Sequence, residues 1–131
     1  MFYAKRRICI TLGSNINSPD ELDKIIKTSY TEDGDFIPSI FARSFDIERY
    51  DDAVREADFY EEPSNSLSRL LEGFSYDDVI IPEFISMYGG DILTKKYNAV
   101  VLLYNFSYEG TKKMISISDT EFEFLGSAKY M

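Results

Sequence analysis

Residues Asn98 to Tyr108 read NAVVLLYNFSY. Val100 to Leu103 are apolar at every position, so an extended chain there needs cover on both faces, which marks a central strand. Glu109-Gly110 is a turn, and the period of two then continues. Met114 to Ser118 puts Ile115 and Ile117 on one face. Asp119-Thr120 turns again. A last strand sets Phe122 and Phe124 on one side, with Glu121, Glu123 and Leu125 on the other. Three successive strands joined by short turns predict an antiparallel meander.

Upstream, Arg7 to Leu12 has the same period. Ile8, Ile10 and Leu12 share one face, Cys9 and Thr11 the other, and Gly13-Ser14-Asn15 ends the strand. Ser18-Pro19-Asp20-Glu21 has the form of a capping box. The Ser18 hydroxyl accepts from the Glu21 N–H, and the Glu21 carboxylate reaches back to the Ser18 N–H. Pro19 takes the first helical position, and Leu22, Ile25 and Ile26 form the buried stripe of a helix ending near Thr28. Glu32-Asp33-Gly34-Asp35 is a turn. Pro38-Ser39 opens a short helical piece with Phe41 and Phe45 one turn apart; these two and Phe36 are assigned to the core. Asp46 to Glu62 is either an ordered loop or a turn capped by Asp51 and carrying Val54 and Ala57. Pro63 should break whatever precedes it. Asn65 or Ser66 caps a helix with Leu67, Leu70 and Leu71 inward and Gly73 in the left-handed position after it. Asp77 or Asp78 begins another. There Pro82 is tolerable only in the first turn, Phe84, Ile85 and Met87 or Tyr88 face inward, and Gly89-Gly90 closes the helix.

A strand, several helices and three strands make an α+β fold. The expected form is an antiparallel sheet of about four strands, the N-terminal strand plus the C-terminal three-strand meander, with helices packed on one face. The 131 residues fit one domain spanning 1–131. With 10 Phe, 10 Tyr and no Trp, aromatics supply much of the core volume.

Charge is distributed unevenly. The chain carries a net −9, and Asp20 to Glu62 holds 14 acidic against 5 basic residues, a local net of −9. Such a balance opposes nucleic acid and anionic membranes and favours a basic partner. Histidine is absent, which removes histidine triads, bases and metal ligands. Cys9 is the single cysteine; it reads as a small buried hydrophobe, not a nucleophile. The acidic turn has the wrong spacing for a calcium loop. The pairs Asp51-Asp52 and Glu61-Glu62 resemble glycosidase carboxylates only in being paired, which any acidic protein offers. No phosphate-binding glycine loop is present. No catalytic residue, cofactor or metal is therefore expected. The N-terminus lacks the apolar run of a signal peptide, and no window approaches the ~20 apolar residues of a membrane span. A soluble cytoplasmic monomer is the expectation.

The sequence resembles the Immunity protein 22 family of bacterial polymorphic toxin systems. The resemblance is carried by YTEDGDFIPSIFARSFDI (Tyr30 to Ile47), YDDAVREADFYEE (Tyr50 to Glu62), NSLSRLLEGFSYDD (Asn65 to Asp78), YNAVVLLYNFSY (Tyr97 to Tyr108) and FLGSAKY (Phe124 to Tyr130). Where the family's first strand tends to end in an aromatic followed by Leu-Gly-Asn, this chain has Thr11-Leu12-Gly13-Ser14. The resemblance implies an antitoxin that binds and blocks a co-inherited toxin domain, with no enzyme activity of its own. Many toxins of these systems are nucleases, which are often basic, and the charge balance reaches the same class of partner independently. The contact surface expected on these grounds comprises Asp33, Asp35, Asp46, Tyr50, Asp51, Asp52, Glu56, Asp58, Tyr60, Glu61 and Glu62. The carboxylates would meet the toxin's Arg and Lys, with Tyr50 and Tyr60 as anchors. The alternative is an acidic interaction module or nucleic-acid mimic that binds basic housekeeping proteins.

Overall fold

The computed structural model describes residues 7–45, 47, 55–104, 113–117 and 119–129. Strand β1 (Arg7–Ser14) forms the middle of the sheet, because both of its faces are apolar enough to be covered. It is followed by α1 (Pro19–Ile26), a small hairpin of β2 (Ser29–Tyr30) and β3 (Phe36–Ile37), and α2 (Ile40–Ser44). Then come β4 (Arg55–Ser66), α3 (Leu67–Leu71), α4 (Asp77–Tyr88), β5 (Ile92–Tyr104), β6 (Met114–Ile117) and β7 (Thr120–Lys129). Among the described residues the main sheet has five strands in the order β4-β5-β1-β7-β6, all pairs antiparallel.

The α+β class and the antiparallel sheet are as the sequence predicts, but three details differ. The sheet gains β4, from the segment whose form the sequence left open. The C-terminal strands are not a meander: β6 and β7 form a hairpin, while β1 lies between β5 and β7. The helices occupy both faces instead of one. Ile8, Ile10 and Leu12 of β1 pack with Val100 and Leu102 of β5 beneath α3 and α4, which contribute Leu67, Leu70, Leu71, Ile80 and Phe84. Cys9, Val101, Leu103 and Phe122 pack beneath α1 and α2, which contribute Leu22, Ile25, Ile26, Phe41 and Ala42. Each such buried Leu, Ile or Phe contributes about 1.5–3 kcal/mol, so two helical layers together stabilise what one could not.

Local signals set the helix ends. The Ser18 hydroxyl accepts from the Glu21 N–H at 3.1 Å. The Glu21 carboxylate reaches one residue beyond the expected box, accepting from the N–H and the side-chain amide of Asn17 at 3.2 Å each. The helix ends at Ile26, short of Thr28. Ser39 caps α2, and Phe41 and Phe45 are buried with ring centroids 5.1 Å apart. The side chain of Phe36 lies outside the described residues. Ser66 caps α3, reinforced by Asp91, which accepts from the Ser66 hydroxyl and the Ser68 N–H at 2.7 Å each. Those bonds, the Ser66 one first, hold the Asp91 carboxyl below its usual range.

Helix α4 corrects two expectations. Pro82 sits inside the helix, past its first turn, on an exposed face. There it removes one backbone bond without leaving a buried acceptor. Met87 and Tyr88 are exposed at 53 % and 41 %, while Ile80 takes the inward place beside Phe84. Strand β5 begins at Ile92, well before Asn98; residues 105–108 of the expected strand lie outside the described residues.

Two buried details hold the sheet to its helical layers. Asn98, 7 % exposed, donates to the Ile16 carbonyl at 2.7 Å and accepts from the Ile16 N–H at 3.2 Å, pinning the loop between β1 and α1. Gly13 leaves room for the Phe122 ring: a Cβ there would lie 2.8 Å from Phe122 Cε1 and 3.2 Å from Ala99 Cβ. That ring meets Phe41 edge-on, centroids 5.5 Å apart at 81°, a geometry worth about 0.5–1.5 kcal/mol beyond the area it buries. Strand β7 carries a bulge opposite Ile10 and Thr11, which pair with Gly126 and Phe124 and leave Leu125 between.

Candidate functional site

Strand β4 reads READFYEEPSNS and, among the described residues, closes one end of the sheet. Its run of carboxylates suits a strand with one side open to water. Pro63, which lacks an N–H, sits inside β4 instead of breaking it, and an edge strand tolerates that. Arg55 to Phe59 pair regularly with Leu103 to Ala99. The ladder then slips, so that Tyr60 to Pro63 stand opposite Asn98 alone. Ala57 and Phe59 pack on the α1–α2 layer. Glu56 and Asp58 stand on the α3–α4 side, where their partners Leu102 and Val100 belong.

A groove of about 470 Å³ runs along this edge, lined by Asp23, Ile26, Arg55, Glu56, Ala57, Asp58, Glu72, Gly73 and Phe74. Its walls come from opposite layers. Asp23 and Ile26 belong to α1, and Glu72, Gly73 and Phe74 to the turn after α3. An adjoining hollow of about 400 Å³ continues along Lys27 and Thr28. Among the described residues, Arg55 is the one cation lining the groove itself. Its guanidinium donates to the Ile26 carbonyl at 2.8 Å, a favourable place for a cation at the C-terminal end of α1.

The groove is braced from beneath. Glu56 accepts from the Tyr104 hydroxyl at 2.6 Å, the Ser75 hydroxyl at 2.9 Å and the Ser75 N–H at 3.0 Å. Tyr104 also lies 2.8 Å from the Ser75 carbonyl, to which it can donate. These bonds clamp the α3–α4 turn to the sheet edge. Beside it Tyr76, with φ 62, adopts the left-handed conformation that a bulky residue rarely takes, and its ring stands 6.2 Å from that of Tyr104.

The expected contact residues separate into groups. Glu56 and Asp58 line the groove. Glu61 and Glu62 are exposed on the slipped part of β4. Tyr60 turns inward: it packs against the α3–α4 core and donates to the Leu70 carbonyl at 2.7 Å. Burial first, then the charges of Asp58 and Glu72, push its phenol up to about 12. Asp33 and Asp35 belong to the β2–β3 turn, where the Thr31 hydroxyl accepts from the Asp35 N–H at 3.0 Å and Gly34 takes φ 88. Asp46, Tyr50, Asp51 and Asp52 lie outside the described residues, as does the turn proposed around Val54; Ala57 is in β4. Asp23 and Glu72 were not among the expected set. Asp23 lies on α1 and Glu72 follows α3 directly, and only the fold brings them to one groove. Among the described residues no group of three or more Cys, Asp or Glu side chains could hold a metal ion. No helix there is long and apolar enough to cross a membrane.

Fold and groove together describe an acidic α+β protein whose sheet, among the described residues, ends at the carboxylate-bearing strand β4 between two helical layers. The model of the family described as Immunity protein 22 matches residues 10–131, and the chain belongs to that family. Membership implies neutralisation of a toxin in general and a cognate toxin as partner, by proteins that are generally non-enzymatic inhibitors. No curated protein and no solved structure matches the chain.

Proposed function

We propose that this immunity protein binds a basic toxin domain, of nuclease type, and blocks it with the acidic edge formed by β4. The observation that carries the reading is the groove itself. Carboxylates from α1, β4 and the α3 turn converge on it, and the one cation lining it among the described residues is committed to a backbone carbonyl. Asp23, Asp58 and Glu72 meet the toxin's Lys and Arg, with exposed Glu61 and Glu62 further along β4. Glu56 braces the surface from within. Like-signed carboxylates on one surface speed encounter with a basic partner and select for it.

The test uses the toxin domain encoded by the neighbouring gene. Co-expression should rescue cells from it; cells that die at the same rate with and without this protein refute immunity for that pair. Asp23→Asn, Asp58→Asn and Glu72→Gln together should slow association with the toxin by about tenfold at low salt and flatten its salt dependence. An unchanged rate and slope would place the contact elsewhere.

A further inference from the structure

We propose that the outer side of β4 accepts a basic β-strand of the toxin, which extends the sheet by one strand. The proposal rests on the immunity reading above and specifies how the same site is engaged. Among the described residues no strand pairs with the outer side of β4. The opposite end of the sheet is β6, only 4 residues long, whereas β4 presents the regular run Arg55–Phe59 beside the groove. The Phe59 N–H donates to the Asp58 carboxylate at 2.8 Å. An amide taken by the side chain next to it faces away from the ladder, and alternation turns the Ala57 and Arg55 amides the same way.

The groove has the shape that strand addition requires. It straddles the edge, with α1 walling one face of the sheet and the α3 turn the other. An added strand sends alternate side chains to the two faces. One set meets Asp23, and the other meets Asp58 and Glu72. Both walls are acidic, so the complementary strand is basic at successive positions. An incoming carbonyl would take the Phe59 amide from Asp58 and free that carboxylate for a cation. The slip of the ladder after Phe59, with Pro63 behind it, confines the pairing to Arg55–Phe59.

Residue-resolved amide hydrogen exchange on the whole protein, free and saturated with an inactivated form of the neighbouring gene's toxin domain, tests this. Exchange at Arg55, Ala57 and Phe59 should slow by at least about tenfold, while Glu56 and Asp58, already turned toward β5, change less. Ala57→Pro, which deletes one outer donor and spares the ladder, should weaken toxin binding by about tenfold. If that variant does not fold, the exchange pattern decides alone. A complex that inhibits the toxin while those three amides exchange as in the free protein overturns strand addition and leaves the immunity reading standing. Failure of the toxin to bind at all overturns both.

Discussion

Replacing Glu56 with alanine tests whether this carboxylate braces the groove or serves the partner directly. In the free protein it accepts three hydrogen bonds, from the Tyr104 hydroxyl and from the hydroxyl and N–H of Ser75. A bond of this kind contributes about 0.5–1.5 kcal/mol net, more when the acceptor is ionised. Two features lower the sum. The Tyr104 hydroxyl keeps the Ser75 carbonyl at 2.8 Å as an alternative acceptor, and Ser75 is exposed, so its donors turn to water. The expected loss is about 1–2 kcal/mol, which for a chain of this size lowers Tm by about 3–8 °C. Urea denaturation followed by circular dichroism should show a lower midpoint with an unchanged slope. A double-mutant cycle with Tyr104→Phe should give a coupling of at least about 0.5 kcal/mol, since the two side chains touch. A loss below about 0.5 kcal/mol for Glu56→Ala would refute the bracing role and return Glu56 to the toxin-facing set.

Asn98→Ala should destabilise by about 2–4 kcal/mol in the same assay, because it strands the N–H and carbonyl of buried Ile16; a cost under about 1 kcal/mol would mean the loop finds other partners. Gly13→Ala should cost about 1–3 kcal/mol by driving a methyl group into Phe122 and Ala99, and a neutral result would show that the ring moves aside. Stability should fall as pH rises from about 10 to about 12. The unfolded tyrosines ionise first, while burial and nearby carboxylates keep Tyr60 protonated up to about 12 and raise Tyr97 as well. Ultraviolet titration of phenolate in the native protein checks this, and Tyr60 ionising as a free tyrosine does would contradict the assignment.

What the sequence disclosed was what short-range chemistry controls. Ser18, Ser39 and Ser66 each cap the helix that follows, and Gly73 and Gly89 take left-handed conformations at or just beyond helix ends, because such a signal needs only a few residues. The two-sided cover of the sheet was also present in the letters, although helices were expected on one face only. Both faces of β1 and the unbroken Val100–Leu103 run are apolar, which calls for a layer on each side. Strand β4 was hidden because an edge strand alternates weakly, and its carboxylates and Pro63 belong to the open side. Pro82 misled because its missing donor lies on an exposed face of α4. The acidic character of the groove was legible, but its lining was not. Asp23 and Glu72 join it only after two helical layers close on opposite faces, while Tyr60, counted as an anchor, is held by the Leu70 carbonyl.

The bulge at Leu125 divides β7 into two reading frames. Before it, Phe122 and Phe124 address the α1–α2 layer; after it, Gly126 faces Phe84 and Met87 of α4, and Ala128 joins their layer. Counted by twos, the same strand would have put all four on one side. The single extra residue therefore sends the two phenylalanines to one layer and Leu125 and Ala128 to the other. It also locks the pairing with β1. Sliding β7 by two positions would preserve alternation in an ordinary strand, but here it would carry Phe124 toward the place where Phe84 and Met87 of α4 lie over Gly126.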